Sequence, residues 1–380
     1  MFDFSRENKS LLASWWRNID KTILSLILLL FFLGLFFSFS STSSVIGEKL
    51  NKESYFFFIK HLIFVVAAIV IIFSISIQKR SIVKSHFLYF FLIFFFLLLL
   101  VPFLGVEVKG AKRWLDLPFL PRFQPVEILK PLFILMLVQI ITSELIHNLY
   151  KKYFYTLLLL FAVLCLLIMQ PDLGQSVLIL SSWLITIFAS GINFIIIGIF
   201  FIFCFLILVS ILLFFPDKFG YIFFRLKSFI DPTKGGDYQS EKALQAIKSG
   251  GFTGRGLGEG ILKDTVPEAH TDYMFAIIAE EFGVILILFL MIIFLFFSYK
   301  VLHKLINEKD EYIRLVLFGL VSLLLIQTFI HIGVNIRLLP TTGITLPFLS
   351  YGGSSIIGNA ITAGLILNLT KKISLNQNNL

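Results

Sequence analysis

IVKSHFLYFFLIFFFLLLLVPFL, residues 82–104, is the stretch on which the fold turns. From Phe87 to Leu104 it holds no charged side chain, and a helix of that length crosses the hydrocarbon core of a bilayer. Nine more apolar runs are long enough to cross as helices, at 22–40, 56–77, 125–147, 153–170, 174–190, 193–215, 272–298, 313–335 and 348–369. Hydrophobic residues make up 58% of the 380 residues, more apolar surface than a soluble domain can hide. The expected fold is therefore all-α: one integral membrane domain over 1–380 with ten spans, and a large extracytoplasmic loop, 216–271, between the seventh and eighth.

Charge orients the bundle. The formal net charge is +9, and the short loops rich in Lys and Arg fall on one side if there are ten spans, with 105–124 a partial exception through Lys109, Lys112, Arg113 and Arg122. Arg6, Lys9, Arg17 and Lys21 precede the first span; Lys79, Arg80 and Lys84, then Lys151 and Lys152, then Lys300, Lys304, Lys309 and Arg314 occupy alternate loops; Lys371 and Lys372 follow the last. The positive-inside rule makes that side cytoplasmic and puts both termini there. The first run lacks a small-residue cleavage site and reads as an uncleaved span. No basic stripe is interleaved with aromatics, so the charge speaks for topology rather than for nucleic acid. Cys165 and Cys204 lie inside apolar runs and read as inert buried thiols.

Against this background the polar residues stand in four islands: Gly110–Lys130, Gln170–Gln175, Val266–Phe275 and Asn335–Ser355. The derived topology puts all four on the outer face. Ionisable groups near hydrocarbon line interior cavities and pair with one another, so a polar cleft open to the outside is expected. Its candidates are Arg113, Glu127, Lys130, Asp172, His270, Asp272 and Arg337.

Each candidate has a plainer reading beside it. Glu127 and Lys130 share a helical face at i,i+3 and equally suit a structural ion pair at a helix entrance. Asp172 is placed to cap a helix, and Arg113 offers a fork for phosphate. Asp272 sits where the large loop enters the eighth span, where partial desolvation lifts a carboxylate toward a useful base. His270, two residues away, is the rival base, and chemistry alone favours Asp272. Glu280 and Glu281 lie deeper and should face protein or water.

Two segments of the outer loop attract attention. SGGFTGRGLGEG, Ser249–Gly260, lacks the Gly-Lys-Ser/Thr ending of a nucleotide loop. It reads as a flexible segment whose amides could approach a diphosphate. Tyr221–Phe229 is basic and amphipathic, suited to the membrane surface. Neither zinc-ligand spacing nor a Ser-His-Asp arrangement stands out, which leaves hydrolase and metalloprotease chemistry without support.

The strings GAKRWLD with QPVEILK, QPDLGQ, PEAHTDYMFAIIAEEFG and LLPTTGITLPFLSYGGSS closely resemble the SEDS family of bacteria, the shape, elongation, division and sporulation proteins. The resemblance runs from the first span to the tenth. ALQAIKSGGFTGRGLGEG and GITLPFLSYGGSS look like the division type rather than the rod-shape type. Val126 stands where many relatives carry Ser.

The resemblance implies a peptidoglycan glycosyltransferase of the bacterial cytoplasmic membrane, placed at the division septum. Such an enzyme polymerises lipid II and works with a class B penicillin-binding transpeptidase and other division proteins. By position in the motif, Asp272 falls on the family's essential acidic residue. Arg113, Glu127, Lys130 and Asp172 fall on residues of the substrate cavity. Family activity is also linked to a divalent cation, magnesium or manganese, whose ligands the sequence does not identify. A RodA-type elongation role, a flippase for the lipid precursor and a non-catalytic scaffold are the competing readings.

Overall fold

A computed structural model describes residues 10–41, 55–108, 110–118, 121–198, 238–262 and 265–372, with single positions at 200, 202, 220 and 229. The expected seventh span, 193–215, lies mostly outside them, as do Tyr221–Phe229, Cys204 and the large loop before Tyr238. Eleven helices and one hairpin, with a further helical stretch at 194–198, account for the regular structure among the described residues. They are α1 (Leu11–Asn18), α2 (Lys21–Ser41), α3 (Phe56–Ile77), α4 (Arg80–Leu104), β1 (Val106–Val108), β2 (Ala111–Trp114), α5 (Pro125–Ile141), α6 (Leu149–Met169), α7 (Leu173–Ala189), α8 (Tyr238–Gly250), α9 (Met274–Leu305), α10 (Glu311–Asn335) and α11 (Gly353–Leu369).

Nine of these helices follow the expected spans. Among the described residues, α2, α3, α4, α6, α9 and α10 are long and apolar enough to cross a membrane. Helices α5, α7 and α11 have 17 residues each, about 26 Å of helix and the lower limit for a span. Some boundaries move for visible reasons. The run expected from 348 becomes helix only at Gly353, because Pro347 and the left-handed Phe348 (φ 65°) break the preceding backbone. Phe348 and Leu349 in that irregular stretch are fully buried in protein, the condition under which non-helical backbone is tolerated at membrane depth. At the other extreme α9 runs on to Leu305, with His303 and Lys304 in its last turn, where cations suit the helix dipole.

The sequence reading placed no strand in the chain. The structure adds a short antiparallel hairpin, β1 with β2, turned by Gly110 at φ 77°. An isolated bridge between Leu115 and Phe123 continues the pairing toward α5. This hairpin lifts Arg113 from a loop onto a defined strand.

Close helix contacts set the bundle. Helix α11 packs along α3 and against α5, and α10 packs on α7 and α9. At the α5–α11 crossing a Cβ on Gly358 would lie 2.3 Å from the carbonyl oxygen of Glu127. Only glycine lets these two backbones approach so closely, as at other small-residue crossings in membranes.

At one end of the bundle, contacts tie the chain's first and last helices together. The N–H of Lys372 donates to the Asn18 carbonyl at 2.9 Å, Arg80 donates to the Lys371 carbonyl at 2.7 Å, and Lys304 pairs with Asp20 at 2.8 Å. The start of α2 and the end of α11 therefore meet at the same end, as an even number of spans requires.

Candidate active site

At the opposite end lies a cavity of about 350 Å³. Residues from all four polar islands line it, including Arg113, Glu127, Asp172 and Asp272. The hairpin and the first turns of α5, α7 and α9 supply these side chains, and the irregular segment between α10 and α11 closes the wall with Thr341–Thr345.

Two of its walls are charge networks. Pro125 opens α5 at a position where a missing N–H costs nothing, so Glu127 points inward from the first turn. Glu127 Oε2 is 2.7 Å from Lys130 Nζ, and Gln175 Nε2 donates to Glu127 Oε1 at 2.5 Å. Lys130 reaches on to Gln327 Oε1 at 3.3 Å, and Gln327 donates to the Thr345 carbonyl at 3.1 Å. Lys130 is thus not in the cavity lining; it sits behind Glu127, buried.

Asp172 does cap α7, accepting from the Gln175 N–H at 3.3 Å. Its other oxygen accepts from Gln124 Nε2 at 2.8 Å and lies 3.8 Å from Arg113 Nε. The cap and the cavity wall are one arrangement, so the two readings of this residue do not compete. Burial pushes the Asp172 carboxyl above its usual range, with the Arg113 cation the largest pull in the other direction. Arg113 is itself held by the carbonyls of Gln170 and Pro171.

Asp272 lines the cavity from the turn before α9, with Glu268 one turn upstream beside it. A Cβ on Gly343 would lie 3.6 Å from Asp272 Oδ2, so the Thr341–Thr345 strip passes next to the carboxylate. His270 takes another direction. Its ring packs on Phe57 at 4.2 Å and on Tyr351 at 6.0 Å between centroids, outside the cavity lining. Arg337, at φ 58° in the turn after α10, also lies outside it.

The glycine-rich stretch behaves differently from its sequence reading. The amides of Arg255 and Gly256 donate to the carbonyls of Glu280 and Glu281 at 3.0 and 2.9 Å. Those of Ile261 and Leu262 donate to Glu280 Oε1 at 2.9 and 2.8 Å. The segment thus packs on a break in α9 at Gly283, with its Arg255 and Gly256 amides committed to that helix. Glu280 and Glu281 are buried in protein, as expected of them.

Sequence reasoning passed over Gln124, Gln175, Gln327 and Asn335, the uncharged partners that complete these networks. Their signal was present: an amide within or beside an apolar run is costly unless bonded. Among the described residues no group of three or more His, Cys, Asp or Glu is placed to hold a metal ion.

The family model described as cell cycle protein, for FtsW, RodA and SpoVE, matches residues 20–375. The chain belongs to this family. A probable peptidoglycan glycosyltransferase FtsW of Caulobacter vibrioides is 31% identical over 373 residues, covering 97% of this chain and 93% of that protein. The protein of the same description from Thiomicrospira cyclica is 36% identical over 282 residues, 71% of each chain. Solved structures share the fold. A chain from a structure on coordination of polymerization and crosslinking by a peptidoglycan synthase complex superposes with TM-score 0.76 at 24% identity, over 93% of this chain and 97% of that one. Thermus thermophilus RodA gives 0.68 at 23% identity with the same coverage.

Proposed function

We propose that this family member is a peptidoglycan glycosyltransferase that polymerises lipid II at the outer face of the bacterial cytoplasmic membrane, in septal wall synthesis. The observation that supports it most is the single cavity on which Arg113, Glu127, Asp172 and Asp272 converge. In this reading two lipid-linked disaccharides meet there. Asp272 takes the proton from the sugar 4-hydroxyl of one as that oxygen attacks the anomeric carbon of the other. The carbon–oxygen bond to the diphosphate breaks with inversion, and undecaprenyl diphosphate departs.

Arg113 faces the developing negative charge as a fixed, partly desolvated cation, the arrangement that favours such a transition state, and Lys130, behind Glu127, offsets that carboxylate's own charge. His270 and Arg337, outside the lining, serve substrate binding only at its margin. Magnesium or manganese, if held in the cavity, would neutralise diphosphate charge; among the described residues no ligand set for it is assembled.

The partner in this reading is a class B penicillin-binding transpeptidase, with other division proteins around it. A flippase would need access from both ends of the bundle, and the polar islands converge on a cavity at one end, which favours one-sided access. The test is purified protein, alone and with its transpeptidase, supplied with lipid II in detergent. Glycan chains made by the parent and lost in Asp272→Ala support the enzyme. Leaflet exchange in vesicles without polymer points to a flippase, and neither activity leaves a scaffold.

A further inference from the structure

Two polar side chains on the last turns of α10 hold both walls beside Asp272. Asn335 is fully buried. Its Nδ2 donates to the backbone carbonyl of Asp272 at 3.1 Å and to the His331 carbonyl at 2.8 Å. Its Oδ1 accepts from the N–H of Ala276, in the first turn of α9, at 3.1 Å. One turn earlier, His331 Nδ1 donates to the Ile344 carbonyl at 2.7 Å, anchoring the strip that passes the Asp272 carboxylate.

The chemistry of this arrangement is specific. A buried amide costs free energy unless its hydrogen bonds are made, and a leucine would fill similar space without that demand. Asn335 spends one donor within its own helix and directs the remaining two bonds across to another element. Both land on backbone that flanks the turn carrying Asp272. An amide used only for helix packing has no reason to grip a non-helical carbonyl there.

We propose that Asn335 is a positioning residue for Asp272: its amide fixes the backbone at the head of α9 and so aims the carboxylate into the cavity. The proposal rests on the reading of Asp272 as the base. Misplacing a reacting group by about 1 Å costs on the order of a hundredfold in rate, so loss of this grip should appear in turnover before it appears in binding.

The experiment uses the full chain with two variants. Asn335→Leu removes both cross-element bonds. Asn335→Asp keeps an acceptor for Ala276 and loses the donor to the Asp272 carbonyl. Lipid II binding stoichiometry and affinity are measured first, then the initial polymerisation rate at saturating lipid II per binding-competent molecule. Both variants are expected to bind at parental stoichiometry with affinity within about twofold, while kcat falls on the order of ten- to a hundredfold. A parental rate per binding-competent molecule overturns the proposal, as does a rate loss fully matched by lost binding stoichiometry. Asp272→Ala is run beside them. If it still polymerises, the catalytic reading itself fails; if it is inactive while the Asn335 variants are parental, only the positioning role fails.

Discussion

Lys130 Nζ lies 2.7 Å from Glu127 Oε2, and both side chains are almost wholly withdrawn from solvent. Such a pair is costly to half-remove, because the surviving charge is left without compensation. Glu127→Gln or Lys130→Met alone should destabilise the protein by about 3–5 kcal/mol, whereas the double substitution should cost far less. Polymerisation should be lost in all three, since Glu127 lines the cavity and Lys130 holds it in place from behind. Thermal unfolding in detergent checks the first statement and lipid II polymerisation the second. A double variant as unstable as either single would show that the pair does not act as a unit.

Asp172 makes stability depend on pH in an unusual direction. Its folded carboxyl titrates above the ordinary range because it is buried. The group therefore contributes stability fully below its unfolded value, about 3.9, and loses that contribution as pH rises through the raised folded value. Asp172→Asn cannot ionise, so its unfolding temperature should fall less than the parent's as pH is raised across that window. It also exchanges an acceptor for a donor and so loses either the Gln175 cap or the Gln124 bond. Its curve should start lower and run flatter. Parallel curves for the two proteins would mean that Asp172 titrates like an exposed carboxylate.

What the sequence made legible followed from length and the absence of charge. The limits 56–77 fall on α3 to the residue, an apolar run interrupted only by Lys60, His61 and small serines and ended by Gln78. The convergence of four islands was equally readable, since each sits at a span end and parity puts those ends together. Less legible were features that depend on partners distant in sequence. The amides of Ile261 and Leu262 satisfy Glu280, about twenty residues away, so a glycine-rich string that reads as free is in fact tied down. The β1–β2 hairpin is three residues against four, too short to show alternation. Asn335 looked like the last residue of an apolar span, and nothing local announces that it grips the turn at Asp272.

Arg113 illustrates why the type of cation matters as well as the charge. Its guanidinium meets the Gln170 and Pro171 carbonyls and stands beside Asp172. A lysine supplies one compact charge and no planar fork, so it cannot hold both carbonyls and still face Asp172. Arg113→Lys should therefore raise the KM for lipid II on the order of tenfold, about 1.4 kcal/mol, and Arg113→Ala further. Titration of initial rate against lipid II concentration measures this. A parental KM in Arg113→Lys would reduce the residue's part to its charge alone.

The last expectation concerns the break in α9. Gly283 has φ 75°, and a Cβ there would lie 2.3 Å from the Phe252 carbonyl oxygen and 2.4 Å from the Gly254 nitrogen. Alanine meets a conformational cost of about 1–3 kcal/mol and also pushes the glycine-rich segment off the helix. The bonds from Val284 and Ile285 to the Gly251 and Phe252 carbonyls should then be lost, together with the amides that satisfy Glu280. Gly283→Ala is expected to lower the unfolding temperature and to open the 249–260 segment to protease while the remainder of the bundle stays resistant. Polymerisation should fall in step, because the segment is bonded to Glu280 and Glu281 of α9, the helix that carries Asp272 at its head, and α8 packs on that helix. Unchanged protease resistance in a destabilised Gly283→Ala protein would separate the helix break from the loop and remove this link to the cavity.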